Sequence, residues 1–240
     1  MYACRKFHDM KVVFFDAAGT LLRVKGSVGQ VYLDHARKYG VRVSAEALQQ
    51  AFQRAFADAP PLAFLVSDPM EIKTCERLWW FDVVHNVFYR TGMFEDFDKY
   101  FDEVFSYFAS SQAWELYPET LQTLQALEER GLELGIVSNF DSRLYEILLG
   151  LGIDRFFESV TLSSSAGVAK PSLQIFRRAL AKHGVSPGEA LHIGDSLRED
   201  VQGASAAGIK AVLLHRQEEA VSGVETIRTL TDVIPLVDRR

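Results

Sequence analysis

Four short stretches of this chain carry residue types that could do chemistry together. Asp16 closes the apolar run Val12–Val13–Phe14–Phe15 and opens Asp16-Ala17-Ala18-Gly19-Thr20. Ser138 and Asn139 follow Leu134–Gly135–Ile136–Val137, Lys170 stands just before Pro171, and Gly194-Asp195 leads on to Asp200. Carboxylates such as Asp16, Asp195 and Asp200 repel one another in a shared site unless a cation is present. A donor set made only of oxygen favours a hard ion such as Mg²⁺, which commonly also bridges to substrate phosphate. The expected ligand of these residues is therefore a magnesium ion.

These residues can meet only if the elements that carry them share one sheet. Val12–Phe15 has the continuous apolar character of a strand buried on both faces, as parallel strands are. From Pro118 onward, strands alternate with helices. Helices are expected over about Glu119–Arg130, Ser142–Leu149, Ser172–His183 and Glu199–Ala207, and strands over Leu134–Val137, Ser159–Leu162, Ala190–Ile193 and Ala211–Leu214. That rhythm predicts an α/β fold, a doubly wound parallel sheet covered by helices, with ligands beyond the carboxyl ends of its strands. Between Val28 and Phe108 the pattern is helical throughout. Val28, Val31, Tyr32 and Tyr39 mark one stripe, and Ala47, Leu48, Ala51, Phe52 and Ala55 a second, behind a capping Ser44. The Trp79–Phe88 stripe and Phe97, Phe101, Val104, Phe105 and Phe108 complete a bundle with its own core. Strand one must join the later sheet, so the bundle is an insertion: residues 1–22 and 116–240 form the α/β core and 23–115 the inserted helical domain.

Bulk properties narrow the partners. The 240 residues carry a net charge of −6, which gives no basic footprint for nucleic acid. No apolar stretch is long enough to span a bilayer. Arg5, Lys6, His8 and Asp9 precede only a very short apolar run, unlike a signal peptide. Two cysteines, Cys4 and Cys75, argue against a disulfide framework and for a reducing cytoplasm. Oligomeric state has no sequence signal.

In order and spacing, Asp16-Ala17-Ala18-Gly19-Thr20, Ser138, Lys170-Pro171 and Gly194-Asp195…Asp200 resemble the four motifs of the haloacid dehalogenase (HAD) superfamily of hydrolases. The helical insertion resembles that family's cap. The resemblance implies that Asp16 is the nucleophile, forming an aspartyl-phosphate that water hydrolyses. Ser138, with the Asn139 amide, would bind phosphate oxygens, and Lys170 would neutralise charge on phosphate and Asp16. Mg²⁺ would be held by Asp16, the Ala18 backbone carbonyl and Asp195, with Asp200 ligating it directly or supporting the ligands. Thr20 would orient the loop beside the substrate.

At Ala18 the chain departs from the family's phosphatases, which carry there a second aspartate that protonates the leaving group and activates water. Losing a positioned acid–base group typically removes about 10² to 10⁴ of rate. Phosphonoacetaldehyde hydrolases share Asp-x-Ala-Gly-Thr and use a cap lysine as a Schiff base, for which Lys25, Lys38 and Lys73 are the candidates here. Haloacid dehalogenases also lack the second aspartate but need no metal, and the intact Gly194-Asp195…Asp200 argues against them. Trp79-Trp80-Phe81-Asp82-Val83-Val84 and Ser138 to Leu144 look similar to an animal branch of the family. A catalytically retired fold with a binding role is the remaining alternative. Outside the motifs, the Trp79–Phe88 stripe reads as cap core and His192 as a strand residue. Asp141 and Arg143 open a helix or face the cleft.

Overall fold

A computed structural model describes residues 10–216 and 221–238. Cys4 and the charged stretch at residues 1–9 lie outside the described residues. The chain runs β1 (Val12–Phe15), β2 (Leu22–Val24), α1 (Val28–Ala36), α2 (Ala45–Asp58), α3 (Pro69–Thr91), α4 (Phe97–Ala109), β3 (Trp114–Leu116) and α5 (Thr120–Glu128). It continues through β4 (Glu133–Ser138), α6 (Arg143–Gly150), β5 (Ser159–Leu162), α7 (Ser163–Ala166), α8 (Leu173–His183), β6 (Ala190–Gly194), α9 (Gly203–Ala206), β7 (Lys210–Leu214), β8 (Thr226–Ile227) and α10 (Ile234–Val237).

Strands β5-β4-β1-β6-β7-β8 form one parallel sheet in that spatial order. The four residues of β1 show why its sequence is apolar throughout. Val13 and Phe15 enter a core on one face, which also holds Leu134, Ile136, Leu191 and Ile193. Val12 and Phe14 enter the core on the other, with Ile175 and Phe176 of α8. Alternate side chains of a strand point to opposite faces, so a strand sandwiched between helices must be apolar at every position. β1 lies between β4 and β6, with Phe15 level with both Ile136 and Ile193. The next residues along these three strands therefore emerge at the same edge of the sheet.

Helices α1 to α4 bury a separate cluster that includes Tyr32, Leu48, Trp79, Val84, Phe88, Tyr100 and Phe101. Ser27, Ser44 and Asp68 cap α1, α2 and α3 by accepting backbone N–H bonds at their N-termini, satisfying donors that have no partner inside the helix. The Trp79–Phe88 stripe is the middle of α3, a helix of 23 residues. Its Trp79, Val83, Val84, Val87 and Phe88 are buried, while Trp80 is only half-buried and turns to Asp141 in the loop after β4. Tyr39 departs from the expected first helical stripe. α1 ends at Ala36, and Tyr39 lies in a 3₁₀ turn that Gly40 closes at φ 79°. A left-handed position of this kind costs a glycine nothing sterically.

Two elements had no periodic signal to betray them. β2 and β3 pair antiparallel as a two-stranded ribbon, Leu22 opposite Leu116 and Val24 opposite Trp114, and carry the chain out to the helices and back. The expected helix over Glu199–Ala207 is instead a π-helical segment, Leu197–Gln202, followed by α9. Its carbonyl at Ser196 accepts from both Asp200 and Val201. Widened turns of this type are frequent at functional sites. Among the described residues, no helix is long and apolar enough to cross a membrane.

Candidate active site

Three parallel strands deliver Asp16, Ser138 and Asp195 to one edge of the sheet. Asp16 follows β1, and its backbone N–H donates to the Ile193 carbonyl of β6 at 2.9 Å. Ser138 is the buried last residue of β4, and Asp195 follows Gly194 at the end of β6. The β1 loop then turns tightly, with the Gly19 N–H donating to the Leu22 carbonyl and an isolated bridge joining Ala18 to Leu22.

Lys170 reaches this edge from the loop before α8 and is only 4% exposed. Its Nζ donates to Oδ1 of Asp16 at 2.7 Å and to Oδ1 of Asp200 at 2.6 Å. Asp200 also accepts from the Ser196 backbone N–H at 2.9 Å and lies 2.9 Å from Nε2 of His192. Burial works against the charge on Lys170, but Asp16 and Asp200 outweigh it and hold the ammonium above the ordinary lysine value. Burial would likewise raise the Asp200 carboxyl, yet the Lys170 charge and the His192 hydrogen bond keep it below the usual carboxylate range. A buried ion pair with this many supporting bonds costs less desolvation than a bare one.

Asp195 is the exposed member of the group and the odd one in charge. Withdrawal of its carboxyl from water, followed by the like charges of Asp16 and Asp200, pushes it up to about 7. Asp16, Asp195 and Asp200 each offer an oxygen within 4.8 Å of the others. One ammonium against three carboxylates leaves negative charge over, and an all-oxygen donor set of this size suits a hard divalent cation. The backbone leaves the space open: a Cβ at Gly19 would lie 2.3 Å from Oδ2 of Asp195, and one at Gly194 only 2.1 Å from Cγ of Asp200. The residues fit Mg²⁺.

Asn139 and Thr20 occupy supporting positions. The Asn139 side chain accepts from the Lys170 N–H at 2.8 Å and donates to the Lys170 carbonyl and to Glu199 at 3.1 Å each. It thus fixes the lysine loop, which places the residue's side chain away from direct anion binding. Thr20 is fully buried, and its hydroxyl has no hydrogen-bond partner. Its carbonyl accepts from Arg216, whose guanidinium also pairs with Glu119 and lies 3.6 Å over the Tyr117 ring.

Sequence reasoning missed several contributors. His192 is a strand residue, as read, but its partner is Asp200, eight residues on; a lone polar residue in an apolar strand was the available signal. Glu199, beside Asp200, is half-buried and its carboxyl is raised, first by burial. Two residues of α3 bridge to the loop after Ser138. Glu76, only 2% exposed, accepts from the Ser142 N–H and hydroxyl, and Trp80 Nε1 donates to Asp141 at 2.5 Å. Asp141 and Arg143 open the helix, the first of the two readings. Asp141 accepts from the Arg143 N–H at the start of α6 and grips its guanidinium at 2.7 and 2.8 Å. Lys25, Lys38 and Lys73 are exposed, with Lys38 paired to Glu103. Cys75 is a free thiol.

Comparison with known proteins agrees with this architecture. A family model for haloacid dehalogenase-like hydrolases matches residues 10–208. The chain is similar to haloacid dehalogenase-like hydrolase domain-containing protein 3 of Mus musculus, 33% identical over 239 residues that cover 96% of this chain and 94% of that protein. It is also similar to glyceraldehyde 3-phosphate phosphatase of Methanopyrus kandleri, 42% identical over 101 residues, or 42% of this chain and 43% of that one. Among solved structures, a HAD phosphatase from Thermococcus onnurineus aligns with a TM-score of 0.65 at 26% identity, covering 93% of this chain and 96% of its own.

Proposed function

The chain belongs to the haloacid dehalogenase-like hydrolases and is a phosphatase-like enzyme of that family; from that premise we propose that it hydrolyses a small phosphorylated metabolite, with Mg²⁺, through an aspartyl-phosphate on Asp16. One observation carries the reading: a buried ammonium joins Asp16 to Asp200 while Asp195 completes a carboxylate cluster at the carboxyl edge of the sheet. A structural ion pair needs no third acid held at raised pKa. A site that receives a cation and an anion does.

In this reading, a carboxylate oxygen of Asp16 attacks phosphorus as the ester P–O bond breaks and the leaving oxygen departs with the electron pair. Water then attacks phosphorus, the bond to Asp16 breaks with its electron pair returning to the carboxylate, and inorganic phosphate is released; with no side-chain acid at position 18, the attacking water loses its proton to solvent and the leaving oxygen takes one from solvent. Lys170 fixes the Asp16 carboxylate and offsets charge on the transferring group, work that dominates phosphoryl transfer. Ser138 and the Asn139 backbone amide would take phosphate oxygens. Asp16, Asp195, Asp200 and the Ala18 carbonyl would hold Mg²⁺, which supplies charge neutralisation at the phosphate. Residues 1–22 and 116–240 would act as the catalytic domain and 23–115 as the cap, in a reducing cytoplasm consistent with the free Cys75. Ala18 offers the leaving group no proton, so turnover should be slow or limited to good leaving groups.

The test is hydrolysis of an activated aryl phosphate with and without Mg²⁺. Turnover should need the metal and vanish in Asp16→Asn; full turnover in that variant would remove Asp16 from the mechanism. A Schiff-base lysine finds little support, since Lys25, Lys38 and Lys73 are all exposed and Lys38 is paired with Glu103.

A further inference from the structure

The wall between the helical block and the loop after β4 encloses a cavity of about 70 Å³. Its lining is almost wholly apolar, with Val84 from α3, Val24 and Trp114 from the ribbon, and Phe140 from the loop. Two of these continue the segments that carry the candidate chemistry. Phe140 lies two residues beyond Ser138, and Val24 lies in the strand that follows the Asp16–Thr20 loop.

We propose that this cavity receives the leaving group of the substrate, and that the substrate is a phosphomonoester whose organic part is compact, uncharged and apolar. The inference rests on the phosphohydrolase reading above and specifies its substrate class. Size is the first argument. A cavity of roughly 150 Å³ holds the six carbons of benzene, so in proportion this one suits a branched group of about three carbons beyond the atom bonded to phosphorus. Charge is the second. Arg143 is the cationic residue in the wall, and its charge is already balanced by the buried carboxylate of Asp141. Asp141 holds its guanidinium through two nitrogens, and the rings of Trp80 and Phe105 flank it at 4.8 and 4.4 Å. Polarity is the third. Hydroxyls of a sugar or polyol would lose water here and find few partners, a penalty that hydrocarbon escapes.

Isobutylphosphonate and 2-hydroxypropylphosphonate resist hydrolysis, are nearly equal in size and differ by one methyl group against one hydroxyl. Their binding to the Mg²⁺-loaded protein, measured by calorimetry, removes the missing acid from the question. The isobutyl compound should bind on the order of 10- to 100-fold tighter, the discrimination that one buried methyl against one unpaired hydroxyl provides. Val84→Phe, which fills the cavity, should collapse that ratio to near one; Val24→Phe, at a half-buried position, serves if the first variant does not fold. Equal affinities, or a preference that survives filling, would overturn the substrate class while leaving phosphate hydrolysis intact. If neither phosphonate nor inorganic phosphate binds at all, the phosphohydrolase reading falls and this inference with it.

Discussion

Magnesium binding should cost a proton, and the amount can be worked from Asp195. Its carboxyl is pushed up to about 7 against a reference of 3.8, by burial and by the charges of Asp16 and Asp200. A carboxyl must be ionised to ligate a metal. At pH 6 a group with that pKa is about one-eleventh ionised and at pH 8 about ten-elevenths, so apparent Mg²⁺ affinity should rise about tenfold between them. Proton release should change in step, from about 0.9 per ion at pH 6 to about 0.1 at pH 8. Calorimetric titration in buffers of differing ionisation enthalpy measures both quantities at once. The sign for stability runs the other way. A raised carboxyl stabilises the metal-free fold fully below its unfolded value, and this contribution disappears as pH climbs through 7. Mg²⁺ should therefore raise the Tm more at pH 8 than at pH 5. A pH-independent affinity, with no protons released at pH 6, would refute the electrostatic account of the cluster.

Two substitutions probe the same edge of the sheet from other directions. Ala18→Asp supplies the absent acid and should raise turnover of an alkyl phosphate by about 10² to 10⁴, with a smaller gain for an aryl phosphate; no gain, with Mg²⁺ still bound, would favour a retired fold. Gly194→Ala places a Cβ 2.1 Å from Cγ of Asp200, so Asp200 must leave Lys170 and His192. Such overpacking should cost about 1–3 kcal/mol in denaturant unfolding and weaken Mg²⁺ binding, whereas an unchanged metal affinity would remove Asp200 from the site.

The sheet was legible because its burial is written in composition. Val12–Phe15 is apolar at every position because helices cover both faces, and a polar residue directly after such a run is conspicuous. Asp16, Ser138 and Asp195 were found that way. The supporting residues were not, because their roles depend on distance across the fold rather than along the chain. Asn139 lies 31 residues from the lysine loop it holds, and Glu76 lies 66 residues from Ser142. The ribbon of β2 and β3 is three residues long on each side, too short for alternation to register. The π-helical turn at Leu197–Gln202 has the same residue pattern as an ordinary helix start, and only its hydrogen bonds distinguish it.

Trp80 shows how such a residue is misread and what the misreading conceals. Its neighbours Trp79, Val83 and Val84 belong to the buried face of α3, and an aromatic one position away looks like more of the same core. A helix turns about 100° per residue, so Trp80 faces a different direction from Trp79. It meets Asp141 and Arg143 on the loop that follows Ser138. Helix and loop are thereby joined by Trp80 to Asp141 and by Glu76 to Ser142, and the cavity wall is built from both sides of that junction. Any motion of the helical block against the sheet must break these bonds or carry the loop with it. Leaving-group selection and phosphate capture would then not be independent: a ligand that strains the apolar wall also displaces Phe140 and, through two peptide units, Ser138.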